Sequence, residues 1–196
     1  MGKNTIPGGF SNGCAIAVKS EQEIWLIGGF STEKRILCFN VNDHTFRELS
    51  SQLNVGRVAV RSSLISNTNK VMVTGDTMNG SLEILESTEI IDTEDGSVIM
   101  ASPMNCKRSS HGMGIVTIKG ENKLVVFGGY GKERTNLNGG ELYNTQIGKW
   151  ETVDIKMREG KYNFGFISFK LGDVIKSSKK IIQNFHRKRS PNYIYK

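Results

Sequence analysis

The sequence predicts an all-β repeat protein of about three four-stranded antiparallel sheets, with the first strand of a fourth and a basic C-terminal tail. Three observations carry that reading. One order of anchor residues recurs three times along the chain. Between the anchors, short apolar runs rich in β-branched and aromatic residues are bounded by Gly, Asn and Asp, which suits strands and not helices. The basic residues that close the copies, Arg57, Arg108 and Lys161, lie 51 and 53 residues apart, well beyond the roughly 33 or 34 residues of ankyrin or tetratricopeptide units.

In the first copy Ile24, Trp25, Leu26 and Ile27 run into Gly28-Gly29, then come Phe39 and Phe46, then Leu53 and Arg57. In the third, Leu124, Val125, Val126 and Phe127 run into Gly128-Gly129, followed by Tyr143 and Trp150, then Met157 and Lys161. The second copy keeps the spacing and loses much of the chemistry: Val71, Met72 and Val73 precede Thr74-Gly75, aligned with the diglycines, before Ile91, Val98, Met104 and Arg108. Strands of the third copy are expected over residues 113–118, 123–127, 141–145 and 149–153, with turns at 119–122 and 145–149, where Gly148 supplies a positive φ. Matching turns are expected at 20–23 and 40–45, and at 66–69 and 92–97. Each diglycine ends a strand buried on two faces and lets backbone approach backbone. Phe39, Phe46, Tyr143 and Trp150 are expected in the packing between neighbouring sheets. Gly13, Gly112 and Gly165 fall at one repeat position, which places a first strand at 13–18 and the opening strand of a fourth unit at 164–169.

This layout resembles the kelch repeat: apolar strand, Gly-Gly, an aromatic pair separated by six residues, and Met or Leu with Arg four positions on. The residues that carry it are Ile24 to Phe30, Phe39 to Phe46, Leu53 to Arg57, Ile91 to Val98, Met104 to Gly112, Leu124 to Tyr130 and Tyr143 to Trp150. The second copy departs from the pattern at Thr74 and Val98. The resemblance implies a β-propeller whose loops bind another protein, as in the substrate-recognition propellers of cullin-based ubiquitin ligases. Those carry an N-terminal BTB domain, for which this chain offers no room. The alternative is a fragment of a kelch-fold sugar-modifying enzyme, of the epimerase or copper-oxidase class. Propellers close at roughly four to eight blades, so three units predict an open, incomplete arc: a fragment or truncated product of a longer kelch protein, or a chain that needs a partner to cover its ends, with self-association through exposed blade faces as one form of that covering.

Residues 1–169 form the expected partial propeller and are neutral, with 18 basic and 18 acidic side chains. The net charge of +7 therefore resides in the tail, residues 170–196, where eight basic residues face only Asp173. A short amphipathic helix through Ile181, Ile182 and Phe185 is expected there, and His186-Arg187-Lys188-Arg189 could attract anions or act as a nuclear import signal. Without an aromatic-basic groove, nucleic acid is not the expected partner. No apolar run reaches the roughly 20 residues a membrane span requires. Three cysteines with no CxxC pair and no leader sequence point to free thiols, buried or half-buried, in a reducing cytoplasmic compartment, with the nucleus as the alternative. His44, His111 and His186 match no compact metal pattern. The reading is thus of a binding module, not an enzyme, without cofactor or metal. From the second glycine to the next anchor the copies measure 10, 16 and 14 residues, and variable loops on a fixed scaffold are where partners bind. The candidate loops are 31–35, 76–86 and 131–138. The candidate partner-binding residues are Arg35 and Arg134, with Arg57, Arg108 and Lys161 placed either against a partner or against backbone carbonyls between blades.

Overall fold

The computed structural model describes residues 6, 10–18, 22–75 and 83–164. The chain divides into two compact units, Met1–Phe166 and Ile167–Lys196, and every described residue lies in the first. The fourth-unit strand, the tail helix and the basic run fall almost wholly outside the described residues, as do parts of the 20–23 turn and of the 76–86 loop.

Three four-stranded antiparallel sheets follow one another in sequence. The first contains β1 (Cys14–Val18), β2 (Glu23–Ile27), β3 (Ile36–Asn40) and β4 (Phe46–Glu48). The second contains β5 (Arg61–Leu64), β6 (Lys70–Thr74), β7 (Thr88–Asp92) and β8 (Val98–Ala101), and the third β9 (Gly112–Ile118), β10 (Glu121–Phe127), β11 (Gly139–Asn144) and β12 (Lys149–Lys156). Within each sheet the strands pair in chain order. The first strands of successive sheets meet, β1 with β5 and β5 with β9. Among the described residues the arc does not close and there is no α-helix, only a 3-10 turn at Lys132–Arg134. This is the architecture of an incomplete propeller.

The seven-residue spacing of the anchors has a simple origin. Phe39 pairs with Phe46, Ile91 with Val98 and Tyr143 with Trp150, directly across the hairpins between third and fourth strands. Each turn is opened by an Asn or Asp one residue after the anchor. Asn40, Asp92 and Asn144 accept from the N–H two residues ahead, of Asn42, Glu94 and Gln146, at 2.8, 2.9 and 3.1 Å. The left-handed position that follows is Gly96 or Gly148 in two copies and His44, at φ 57°, in the first.

Packing between sheets supplies the core, because one sheet cannot bury its own apolar faces. Trp25, Ile27, Ile36 and Cys38 of the first sheet pack on Val71, Val73 and Ile91 of the second, with Leu53 and Val60 from the linker. Ile65 and Met72 of the second unit, with Met104 from the next linker, pack on Met113, Leu124, Val126, Tyr143 and Trp150 of the third. Tyr143 and Trp150 therefore lie where expected. Phe39 and Phe46 do not: strand alternation turns them to the face of the first sheet away from the second, where their rings meet at 4.9 Å and stay half-buried.

Candidate interaction surface

The loops joining second and third strands share one rim with the linkers that lead to the next sheet, and a repeated set of backbone hydrogen bonds ties the two together. Leu53 and Arg57 donate to the carbonyls of Lys34 and Glu33; Met104 and Arg108 to those of Glu86 and Leu85; Met157 and Lys161 to those of Asn138 and Leu137. The four-residue interval from Leu or Met to the basic residue is the spacing of this staple.

The side chain of the basic residue then reaches forward into the next blade. The Arg57 guanidinium donates through Nη1 to the carbonyls of Gly75 and Ser87, each at 2.9 Å, and through Nε to Glu89 Oε1 at 3.0 Å. Arg108 repeats this with Gly128, Gly139 and Glu141 at 2.7, 3.1 and 3.1 Å. The carbonyls of each set flank the neck of the following loop, so the arginine clamps that neck shut. Its carboxylate partner is occupied in turn: Glu89 accepts from the N–H groups of Asn54 and Val55 at 2.6 and 3.2 Å, and Glu141 from those of Asn105 and Cys106 at 2.6 and 3.1 Å. Arg57, Glu89 and Glu141 are wholly buried and Arg108 is 3 % exposed. Burying these ions is tolerable because almost every donor and acceptor finds a partner. Among the described residues the first sheet has no such clamp. Leu37 stands at the carboxylate position and Phe10 at the arginine position, and Thr32 Oγ1 donates to the Gly28 carbonyl at 2.8 Å instead.

These contacts correct the repeat register in two places. Gly28, Gly75 and Gly128 all have φ between 61° and 66°, and a Cβ on them would meet the carbonyls of Arg57, Arg108 and Lys161 respectively. Gly75 therefore occupies the first-glycine position, Asp76 the second, and the middle loop measures 15 residues, not 16. Likewise the partner of Gly13 is His111, not Gly112. Gly29 abuts Gly13 as Gly129 abuts His111, and the left-handed Asn12, Ala59, Ser110 and Asn163 stand one residue earlier.

The residue after each diglycine is carried onto the rim. Phe30 bridges to Ser11 and Tyr130 to Ser109. Phe30 is 45 % exposed; Tyr130 packs its ring on Tyr162, itself 49 % exposed, at 5.6 Å. Sequence reasoning missed these three aromatics as site residues, although an aromatic after Gly-Gly in two copies was the available signal. Of the candidates named from sequence, Arg57 and Arg108 are corrected to inter-blade clamps, buried away from any partner. Arg35 lies at the base of its loop, with Nη2 at 2.7 Å from Glu48 on the neighbouring strand, and that contact raises its affinity for its proton. Lys161 is exposed on the rim beside Tyr162, with Glu159 at 3.1 Å. The backbone of Arg134 ends the 3-10 turn in the loop between β10 and β11.

His111 sits behind the rim, wholly buried between the second and third blades. Its Nε2 lies 2.8 Å from Thr74 Oγ1, and Nδ1 has no hydrogen-bond partner among the described residues. Burial, with the Arg61 and Arg108 charges nearby, pushes its pKa from the ordinary 6.5 down to about 3, so the ring is neutral. Burial pushes the Cys14 thiol up to about 11. Cys38 is buried and Cys106 exposed, so the expectation of buried or half-buried thiols fails at Cys106. Among the described residues no three His, Cys, Asp or Glu side chains converge as a metal site, and no helix is long and apolar enough to cross a membrane.

Comparison with curated proteins gives no match. The Kelch motif matches residues 109–154, from the Ser109–Tyr130 bridge nearly to the end of β12. With the same strand order in the other two sheets and the Arg108 clamp repeated at Arg57, the chain carries a kelch-type domain built as an incomplete propeller.

Proposed function

We propose that the chain is a protein-interaction module that meets its partner on the clamped rim, with Phe30, Tyr130 and Tyr162 as anchors and Arg35, Arg134 and Lys161 beside them. The observation that carries this reading is the exposure of Phe30 and Tyr162 on the rim, with the half-buried Tyr130 packed on Tyr162 at the end of a loop whose neck is held by the buried Arg108–Glu141 pair. Aromatic side chains bury much area at little entropic cost and dominate binding hot spots, and a fixed neck lets loop length change without disturbing the blade.

The test is photocrosslinking from a benzophenone side chain placed at Phe30, Tyr130 or Tyr162, with Ile147, exposed in the β11–β12 turn, as the control position. Adducts from the three rim positions and none from Ile147, together with about tenfold or greater weakening on Tyr162→Ala, are the expected result. Adducts only from Ile147 would remove the rim from consideration. The kelch resemblance makes substrate recognition for a cullin-based ubiquitin ligase the specific form of this role. It requires that the crosslinked partner be ubiquitinated in a manner dependent on this chain, and an unchanged partner half-life on deletion of the chain would eliminate that form.

A further inference from the structure

We propose that the outer edge of the second blade, β8 (Val98–Ala101), is a second docking site, separate from the rim, which takes an extended apolar segment of a partner protein flanked by basic residues and adds it as a fifth strand. The three outer strands are built differently. On β4, Arg47 and Glu48 pair with Glu23 and Arg35. Along β12, Lys149, Glu151, Asp154 and Lys156 alternate with less polar residues. Charges of this kind keep an open edge from pairing with other chains. By contrast β8 reads Val-Ile-Met-Ala, without a charge, and leaves Ile99 56 % and Met100 49 % exposed.

The backbone of β8 is set for an added strand. Asp92 donates to the Ser97 carbonyl, and the ladder runs through Ile91↔Val98, Ile90↔Ile99 and Glu89↔Met100. Antiparallel alternation then directs the N–H and C=O groups of Val98 and Met100 away from β7, towards the open edge. Pairing is bounded by the 92–97 turn at one end and by Pro103, which lacks an N–H, at the other.

Charge selects the occupant. Carboxylates lie at the two ends of the strand. At the turn Glu94 and Asp95 join Asp92, which is paired with Lys70; at the other end the exposed Glu86 adjoins Met104 through its carbonyl, and Glu83 is paired with Lys107. The ends therefore keep an acidic excess. Antiparallel pairing of β8 with a second copy would bring the turn acids of one chain to the Glu86 end of the other, opposing like charges. A strand with basic flanks meets complementary charge at each end.

The test uses the whole chain and fluorescence anisotropy with a labelled peptide having a Thr-Val-Ile-Val-Thr centre and two lysines at each end. The expected result is saturable binding that weakens at least tenfold when the lysines are replaced by glutamates, when alternate peptide nitrogens are methylated, and on Met100→Lys. Phe30→Ala leaves this binding unchanged, which separates failure here from failure of the rim. A melting temperature for Met100→Lys within a few degrees of the parent, and the peptide controls on unaltered protein, exclude simple misfolding. Absence of binding at millimolar peptide, insensitivity to the flanking charge or to N-methylation, or a concentration-dependent dimer that Met100→Lys dissolves would each overturn the proposal, the last by assigning the edge to a second copy.

Discussion

The junction between the first and second blades and the junction between the second and third share a frame and differ in filling. Each is crossed by an arginine that leaves one linker, clamps the loop neck of the next blade and ends on a buried glutamate: Arg57 on Glu89, Arg108 on Glu141. Behind the first clamp stands Val60, wholly buried in an apolar cluster with Trp25, Ile27 and Leu53. Behind the second stands His111, facing Thr74, whose hydroxyl also lies 3.3 Å from Met113 Sδ. The difference shows that the ion pair fixes where the next blade sits, whereas the filling decides the conditions under which it stays there.

The frame can be broken first. Arg57→Met and Arg108→Met should each cost about 3–5 kcal/mol, because the remaining carboxylate is left buried and uncompensated. Urea unfolding curves measure this, and a midpoint unchanged by either substitution would show that the clamp is not structural. Adding Glu89→Leu to Arg57→Met should recover only part of the loss, since Asn54 and Val55 would then lack the acceptor of their N–H groups.

The linker anchors come next. Leu53→Ala and Met104→Ala remove side chains that are 2 % and 3 % exposed, and each should cost about 2–5 kcal/mol by leaving a cavity. Similar losses by calorimetry would show that the junctions are equally well packed, and a much smaller loss at Met104 would locate looseness in the second.

Acid should then distinguish the junctions. The pKa of His111 lies below its unfolded value, so the unfolded chain binds the extra proton. The stability contributed by neutral His111 is complete above about pH 6.5 and is lost progressively towards pH 3, on the order of 3 kcal/mol by pH 4. His111→Val, which copies Val60, should flatten that part of the pH–stability profile. An unaltered profile in the variant would assign the acid sensitivity to other groups.

The smallest effect lies outside the junctions, in the turn that opens β4. His44 holds φ 57° where the other copies have glycine. His44→Gly should stabilise the chain by about 0.5–1 kcal/mol, and a fall in melting temperature would mean that the contact of His44 with the Phe39 ring, at 6.3 Å, outweighs the relief of strain.

Much of the fold was legible in the sequence because its strands are local. The hairpin of β9 and β10 needs only Lys119 and Gly120, at φ 50° and 82°, between two alternating runs. Three Asx turns, three cross-strand pairs and the Leu or Met anchors follow from neighbours a few positions apart. The candidate surface was less legible. Arg57 finds Glu89, 32 residues away; a Glu two residues before the anchor recurs as Glu89 and Glu141, but Leu37 stands there in the first copy and only the fold shows which arginine each carboxylate meets. The register error at Gly75 has the same origin, since both residues of Thr74-Gly75 fit a strand end and only the carbonyl of Arg108 selects the glycine.

By itself the sequence determined the unit: a four-stranded antiparallel blade, its turns, its period and the residues that mark it. Those features depend on φ preferences and alternation, which act between residues close in the chain. Only the tertiary structure decided that Arg57 and Arg108 are clamps and not contacts, that Phe39 and Phe46 face away from the described junctions, and that Phe30, Tyr130 and Tyr162 occupy the rim. Burial is a property of what the neighbouring blade covers, and a charge becomes structural or available according to that covering.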